Sequence, residues 1–208
     1  MVTSKHMRPQ WLTMEQAVRH CTEGLGIWQW ASSDEGQEPD LVMACAGETP
    51  TLEALAATMI LREHFPELKI RFVNIVDLFR LESNTEHPHG LSDPEYDAVF
   101  TTNVPIVFAF HGYPSLIQKL TYGRHNQQLY VRGYVEEGTI TTPFDMRVQN
   151  GLDRYHLVML ALQHLPVLGN RGAALTQKMK DKLVEHAQYI HEYGVDLPEI
   201  ADWRWQKL

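Results

Sequence analysis

The sequence predicts a three-layer α/β sandwich with parallel strands, on three observations. Short apolar runs at 41–46, 70–76 and 104–110 have the length and near-continuous hydrophobicity of strands covered on both faces. Segments with apolar residues at helical spacing lie between and after them, so strands and helices alternate along the chain. The first run, the helix that follows it and the second run form a βαβ unit, whose crossover is right-handed because both helix and strand twist that way.

The elements follow in order. Thr13 can cap a first helix, with Gln16 three residues on to close a capping box, and Ala17, Val18, Cys21 and Leu25 then share one face. Residues 32–40, rich in Ser, Asp, Glu and Gly, form a solvated loop. The first strand, 41–46, ends at Gly47; Thr49 and Pro50 then read as a cap followed by proline at the first helical position. Leu52, Leu55, Ala56, Met59 and Ile60 carry that helix to about His64. After the strand at 70–76 comes a long connection, 77–103, with one short helix at 92–99. A strand at 104–110 and a helix at 113–122 precede a strand at 129–135, whose alternation puts Arg132 and Val131 on opposite faces. The last third is helical: 153–165 is apolar almost all round, and 173–193 carries Leu175, Met179, Leu183, Ala187 and Ile190 on one stripe.

Composition narrows the function classes. The 208 residues are 44% hydrophobic and 21% charged, near globular averages. A fold of this length buries roughly 70% of the unfolded chain's surface, enough for a core without disulfides or metals. With 18 Lys and Arg against 26 Asp and Glu, the formal charge is −8, and there is no basic run to grip a phosphate backbone. No apolar stretch approaches the ~20 residues that span a bilayer. The polar start, 1–11, has no apolar region of the kind a secretory signal needs. Two cysteines, Cys21 and Cys45, make neither a disulfide framework nor a zinc site. A reducing cytoplasm is the expected location.

Candidate chemistry is sparse. The turn after the first strand, Ala46-Gly47-Glu48-Thr49, has one glycine where a dinucleotide fingerprint needs three, and Glu48 would repel a pyrophosphate. It reads as a plain strand–helix turn. His87-Pro88-His89, with Glu86 and Asp93 near, has zinc-ligand chemistry, but Pro88 and Gly90 also make it an ordinary turn. His111, with Gly112 and Tyr113, sits where the third strand ends, the edge at which open α/β sheets bind ligands. It is placed either to act as a general base or to cap a helix. Arg132, Glu136 and Glu137 suit an ion-pair network better than an anion site, since two adjacent carboxylates repel an anion. Trp11, Trp28, Trp30, Trp203 and Trp205 cluster near the two ends, either anchoring a domain or subunit contact or packing on the main sheet. The residues by themselves make no complete active site.

Several segments carry a resemblance. They are Trp11-Leu12, Gly26-Ile27-Trp28-Gln29-Trp30-Ala31-Ser32, Asp40-Leu41-Val42-Met43-Ala44-Cys45-Ala46-Gly47 and Val73-Asn74-Ile75-Val76-Asp77-Leu78. Gly90-Leu91-Ser92-Asp93, Phe108-Ala109-Phe110-His111-Gly112-Tyr113, Thr141-Thr142-Pro143-Phe144-Asp145-Met146, Asp153-Arg154-Tyr155 and Asp202-Trp203-Arg204-Trp205 continue it in collinear order. Together they resemble the carboxyl-terminal domain of phosphoketolases, which are similar to transketolase.

The resemblance implies a Rossmann-like third domain with a mixed, mostly parallel sheet. The whole enzyme would use thiamine diphosphate and a divalent magnesium ion. It would cleave xylulose 5-phosphate, or fructose 6-phosphate, with inorganic phosphate to acetyl phosphate and glyceraldehyde 3-phosphate or erythrose 4-phosphate, working as a homodimer. The family's Gly-Asp-Gly diphosphate motif is absent here, and no glutamate can be assigned to the aminopyrimidine ring. The cofactor is therefore expected to be held by the amino-terminal and middle domains, with no catalytic, cofactor-binding or metal residue in this chain. Residues 1–12 read as a tail from a preceding domain or linker, and 13–208 as one domain serving packing and dimer assembly. Lys5 matches a family lysine that contacts the sugar phosphate. The alternative is a free-standing α/β interaction or small-ligand module.

Overall fold

A computed structural model describes residues 9–135 and 140–206. The helix expected at Thr13 forms as α1 (Met14–Glu23), with both halves of the capping box made by Thr13 and Gln16. It stops earlier than the apolar spacing suggested, because Gly24 takes the left-handed conformation at φ +80° and caps it. Leu25 consequently belongs to a short strand, β1 (Leu25–Ile27), that the sequence reading did not anticipate. Three residues are too few to show a period.

β2 (Leu41–Ala46), β3 (Ile70–Ile75), β4 (Ile106–Phe110) and β5 (Leu129–Arg132) follow. The sheet order is β1-β3-β2-β4-β5, parallel throughout except for β1 at the edge, which pairs antiparallel with β3. β5 stops at Arg132 rather than continuing to 135.

α2 (Glu48–His64) takes Gly47, not Thr49, as its N-cap, which puts Pro50 at the third helical position. Proline is tolerated there because amides in the first turn have no intrahelical acceptor to lose. α3 (Asp93–Phe100) carries its own capping box, Ser92 with Glu95. α4 (Pro114–Leu120) leads into β5. A short helix absent from the sequence reading, α5 (Pro143–Gln149), is capped by Thr142 and precedes α6 (Arg154–Gln163), capped by Asp153. α7 (Gly169–Tyr193) begins four residues before the expected 173, and α8 (Pro198–Ala201) is the last helix among the described residues.

Alternation along β2 divides the core. Leu41, Met43 and Cys45 point to one face with Phe72, Val107 and Ala109, and are covered by Leu55 and Leu61 of α2 and Leu157 and Ala161 of α6. Val42, Ala44 and Ala46 point to the other face with Phe108, against Tyr96 and Phe100 of α3 and Ile117 of α4. Helices on both faces of the sheet make the three layers expected. Each fully buried large apolar side chain contributes ~1.5–3 kcal/mol. The 77–103 connection is organised by Arg124, whose guanidinium lies over Tyr96 at 4.3 Å and donates to the carbonyls of Leu81, Glu82 and Leu91 and to Asp93.

Two buried polar assemblies hold the α2 face. Glu53, with no exposed surface, accepts from the Arg147 guanidinium at 2.5 Å and from Arg154 through its amide (2.9 Å), Nε (3.0 Å) and Nη2 (3.1 Å). Burial by itself would raise the Glu53 carboxyl. The two guanidiniums outweigh it and hold the carboxyl below the usual carboxylate range. In the second assembly, His186 of α7 is buried with its ring edge-on to Phe144 at 4.8 Å. Asp196 caps the Phe144 amide through Oδ2, and its Oδ1 faces His186 Nε2 at 3.6 Å, beyond hydrogen-bond reach. Burial depresses the His186 pKa against the raising influence of Asp196, Asp145 and Asp153.

Removing the shared carboxylate strands two guanidiniums in a dry site. Glu53→Ala is expected to lower the unfolding free energy by about 3–5 kcal/mol in urea denaturation, and a loss under ~1 kcal/mol would contradict the role given to the triad. His186 supplies a pH signature. Its folded-state pKa lies below the unfolded value of 6.5, so its contribution is full above that pH and is lost as pH falls through it. Between pH 7.5 and 5.5 the parent chain should lose stability by up to ~1.4 kcal/mol per pH unit from this group. His186→Gln should flatten that slope, and equal slopes in the two proteins would refute the assignment.

Candidate functional site

The carboxyl edge of the parallel strands is where the topology leaves room. From β2 the chain crosses by α2 to β3 on one side, then by α3 to β4 on the other, and α2 and α4 lie on opposite faces of the sheet. The connections leaving β2 and β4 therefore diverge, and the gap between them is the switch point at which open α/β sheets bind ligands. A cavity of about 720 Å³ lies there, lined from the ends of β2, β3 and β4, from α1 and from residues 9–13.

Gly47 and His111 face each other across the switch point. Gly47 has φ +103°, and a Cβ on it would lie 2.5 Å from the His111 Cβ, so no other residue fits this turn without displacing the β4 end. The His111 amide donates to the Ala46 carbonyl at 3.1 Å, while its side chain lines the cavity at an exposed position.

The floor is a directed hydrogen-bond chain. Thr51 Oγ1 donates to the Gly47 carbonyl at 2.7 Å, which leaves its lone pairs for the Asn74 amide nitrogen at 2.9 Å. Asn74 must then present Oδ1 to His20 Nε2, 2.7 Å away, so a proton sits on Nε2 and is donated to Asn74. Cys45 lies under this chain, within 3.4 Å of Asn74 Nδ2 and 3.5 Å of Thr51 Oγ1. Burial pushes its thiol up to about 11, against the opposing bonds from Thr51 and Asn74. A thiol so protonated is not a nucleophile.

The other candidates fall elsewhere. The His87 ring stacks on Phe79 at 4.0 Å, and His89 Nδ1 bonds to Asp77 Oδ2 at 2.8 Å. Among the described residues no group of three or more His, Cys, Asp or Glu side chains converges to hold a metal ion. Arg132 is exposed at the end of β5, beside Gly151. Glu136, Glu137 and Lys5 lie outside the described residues.

The tryptophans do meet. Trp30 stacks on Trp28 at 5.2 Å and on Trp11 at 6.5 Å, meets Trp205 edge-on at 5.2 Å, and Trp203 lies 6.4 Å from Trp11. Trp28 rests on Phe72 of β3 at 5.7 Å, so the cluster packs on the sheet and ties the two chain ends together.

Glu53 and the His20–Asn74 pair were missed by sequence reasoning. Their signals were a charge inside an apolar helix, 48–64, and a polar break in an apolar strand, 70–75. Neither names its partner, because Glu53 and Arg154 are 101 residues apart and His20 and Asn74 are 54 apart.

The arrangement can enclose an apolar group and offer it a few polar contacts. It does not fit a thiamine diphosphate and its divalent ion. Glu48 is the only Asp, Glu, Lys or Arg in the described lining, whereas a diphosphate needs cations or a metal held by several oxygen ligands.

Comparison with known proteins agrees with the resemblance read from the residues. Residues 5–205 match the family described as XFP C-terminal domain. A probable phosphoketolase of Clostridium acetobutylicum is 65% identical over 99% of this chain, and one of Rhodopirellula baltica is 59% identical over the same share. In each case the chain spans 26% of the relative's length. Transketolase from Leishmania mexicana shares the fold, with a TM-score of 0.52 at 16% identity over 73% of this chain and 19% of that one. The match of nearly every residue to one family and to its named members leaves one conclusion: this chain belongs to the carboxyl-terminal domain family of phosphoketolases.

Proposed function

We propose that this chain is the carboxyl-terminal part of a cytoplasmic, homodimeric phosphoketolase. That enzyme cleaves xylulose 5-phosphate, fructose 6-phosphate or both with inorganic phosphate, releasing acetyl phosphate, glyceraldehyde 3-phosphate or erythrose 4-phosphate, and water. Thiamine diphosphate and magnesium belong to the amino-terminal and middle domains in this reading. Residues 13–208 form the third domain and 1–12 the tail that leads into it. The part described here serves packing and dimer assembly. The observation that carries the reading is collinear identity of 65% to a probable phosphoketolase, over a chain that spans only 26% of it. The chemistry of the cavity supports the division of labour, since its lining suits apolar contact and does not suit a diphosphate.

Lys5 is the one position assigned to substrate. An ammonium meeting the phosphate end of the sugar supplies a charge-assisted hydrogen bond of about 1.5–3 kcal/mol. In the full-length enzyme, Lys5→Ala should weaken sugar-phosphate binding by roughly tenfold to a hundredfold, with turnover falling where that binding orients the substrate. Thiamine diphosphate binding should stay nearly intact. The test is acetyl phosphate formation by the full-length protein given xylulose 5-phosphate, phosphate, thiamine diphosphate and Mg²⁺. No acetyl phosphate would overturn the assignment of activity, and unchanged KM and kcat in Lys5→Ala would remove Lys5 from the substrate site. Tight thiamine diphosphate binding by the 208-residue chain alone would favour an independent module instead.

A further inference from the structure

The burial of α1 is inverted. Its capping box makes a well-formed helix, yet the residue it buries is His20, while Met14 and Val18 stand 80% and 60% exposed and Cys21 is also exposed. An amphipathic helix normally turns that face inward. Here the face continues into the switch-point cavity, which Met14, Ala17 and Cys21 line together with Val76 and Leu78 across the mouth. Val76 and Phe79 are each half exposed, so the apolar surface runs from α1 over the cavity to the loop after β3. Contiguous apolar surface of this kind marks an interface rather than a solvated face.

We propose that the polypeptide preceding this domain in the full-length protein docks on this face, with apolar side chains on Met14 and Val18 and inserted into the cavity. Three observations choose this occupant. The match is to a carboxyl-terminal domain, and the relatives carry roughly three quarters of their length outside it, so the missing mass precedes residue 1. Pro9, Gln10, Trp11 and Leu12 line the same cavity, so the chain enters at this face and a preceding domain is tethered beside it. Glu48 is the only Asp, Glu, Lys or Arg among the described lining residues, so the surface selects an apolar partner over a polyanion. The inference rests on reading this chain as part of a longer phosphoketolase, and it names the surface by which that assembly is made.

The full-length protein tests it by hydroxyl-radical footprinting of Met14 and iodoacetamide labelling of Cys21, each rate compared with the urea-unfolded protein. Tyr122 is an internal control, 86% exposed just past the end of α4, at the opposite edge of the sheet. Met14 and Cys21 should react at least tenfold more slowly in the folded protein, while Tyr122 stays within about threefold of its unfolded rate. Met14 reacting near its unfolded rate would overturn the proposal. Protection that vanishes on dilution as the oligomer dissociates would assign the face to a second copy, and protection removed by exhaustive dialysis would assign it to a small molecule; either result also overturns it. Acetyl phosphate formation is measured in parallel. A protected face in an inactive protein would count against the proposed activity alone, and an exposed face in an active one against this inference alone.

Discussion

The Glu53 carboxylate, taken wholly out of water in the second turn of α2, constrains much of the rest of the fold. A lone buried carboxylate is prohibitively costly, and this one persists only because Arg147 of α5 and Arg154 of α6 reach it from 94 and 101 residues away. The same contact fixes where α6 begins, because the Arg154 amide donates to Glu53 while Asp153 caps the helix. It also gives the short helix α5 a reason to exist, since seven residues have little intrinsic stability. Arg154 then lies over Trp203 at 5.3 Å, which extends the anchorage to the end of the chain. One charged group thus couples the crossover helix, the helical last third and the terminal tryptophans.

That anchorage lies on one side of the sheet, and the switch point opens at the carboxyl edge. The diverging connections after β2 and β4 leave a cleft there for geometric reasons that hold for any sequence threaded this way. What this sequence puts into the cleft is a hydrogen-bonded relay from Thr51 through Asn74 to His20, a thiol kept protonated by burial, and apolar walls. Such a lining stabilises packing and gives little purchase to phosphates. The chemistry of the site thus agrees with the proposal that this edge of the domain is an assembly surface.

The tryptophan cluster answers a question of economy. Trp11 precedes α1 and Trp203 and Trp205 follow α8, so their stacking with Trp28 and Trp30 closes the chain on itself against Phe72. Arg62 at 5.9 Å from Trp205 adds a cation over an aromatic face. The arrangement holds residues 11 and 203–205 together on one face of the sheet.

Local pattern carried most of the fold. The apolar runs of β2, β3 and β4, the capping box at Thr13 and the stripe of α7 are set by residues within a few positions of one another, and such signals survive in one dimension. The collinear segments from Trp11 to Trp205 placed the chain in its family for the same reason. Short elements were not legible. β1 has three residues and exists because β3 offers it a hydrogen-bonding edge, and α5 exists because Glu53 waits for Arg147. The sites were least legible of all: His20, Thr51 and Asn74 carry no mutual spacing, and the outward face of α1 looks in sequence like any core-facing stripe. Hydrophobic periodicity says that a face will be buried and is silent on what buries it. Only the tertiary arrangement, which spends the sheet's own surface on α2, α6, α3 and α4, shows that α1 is left with its apolar side open.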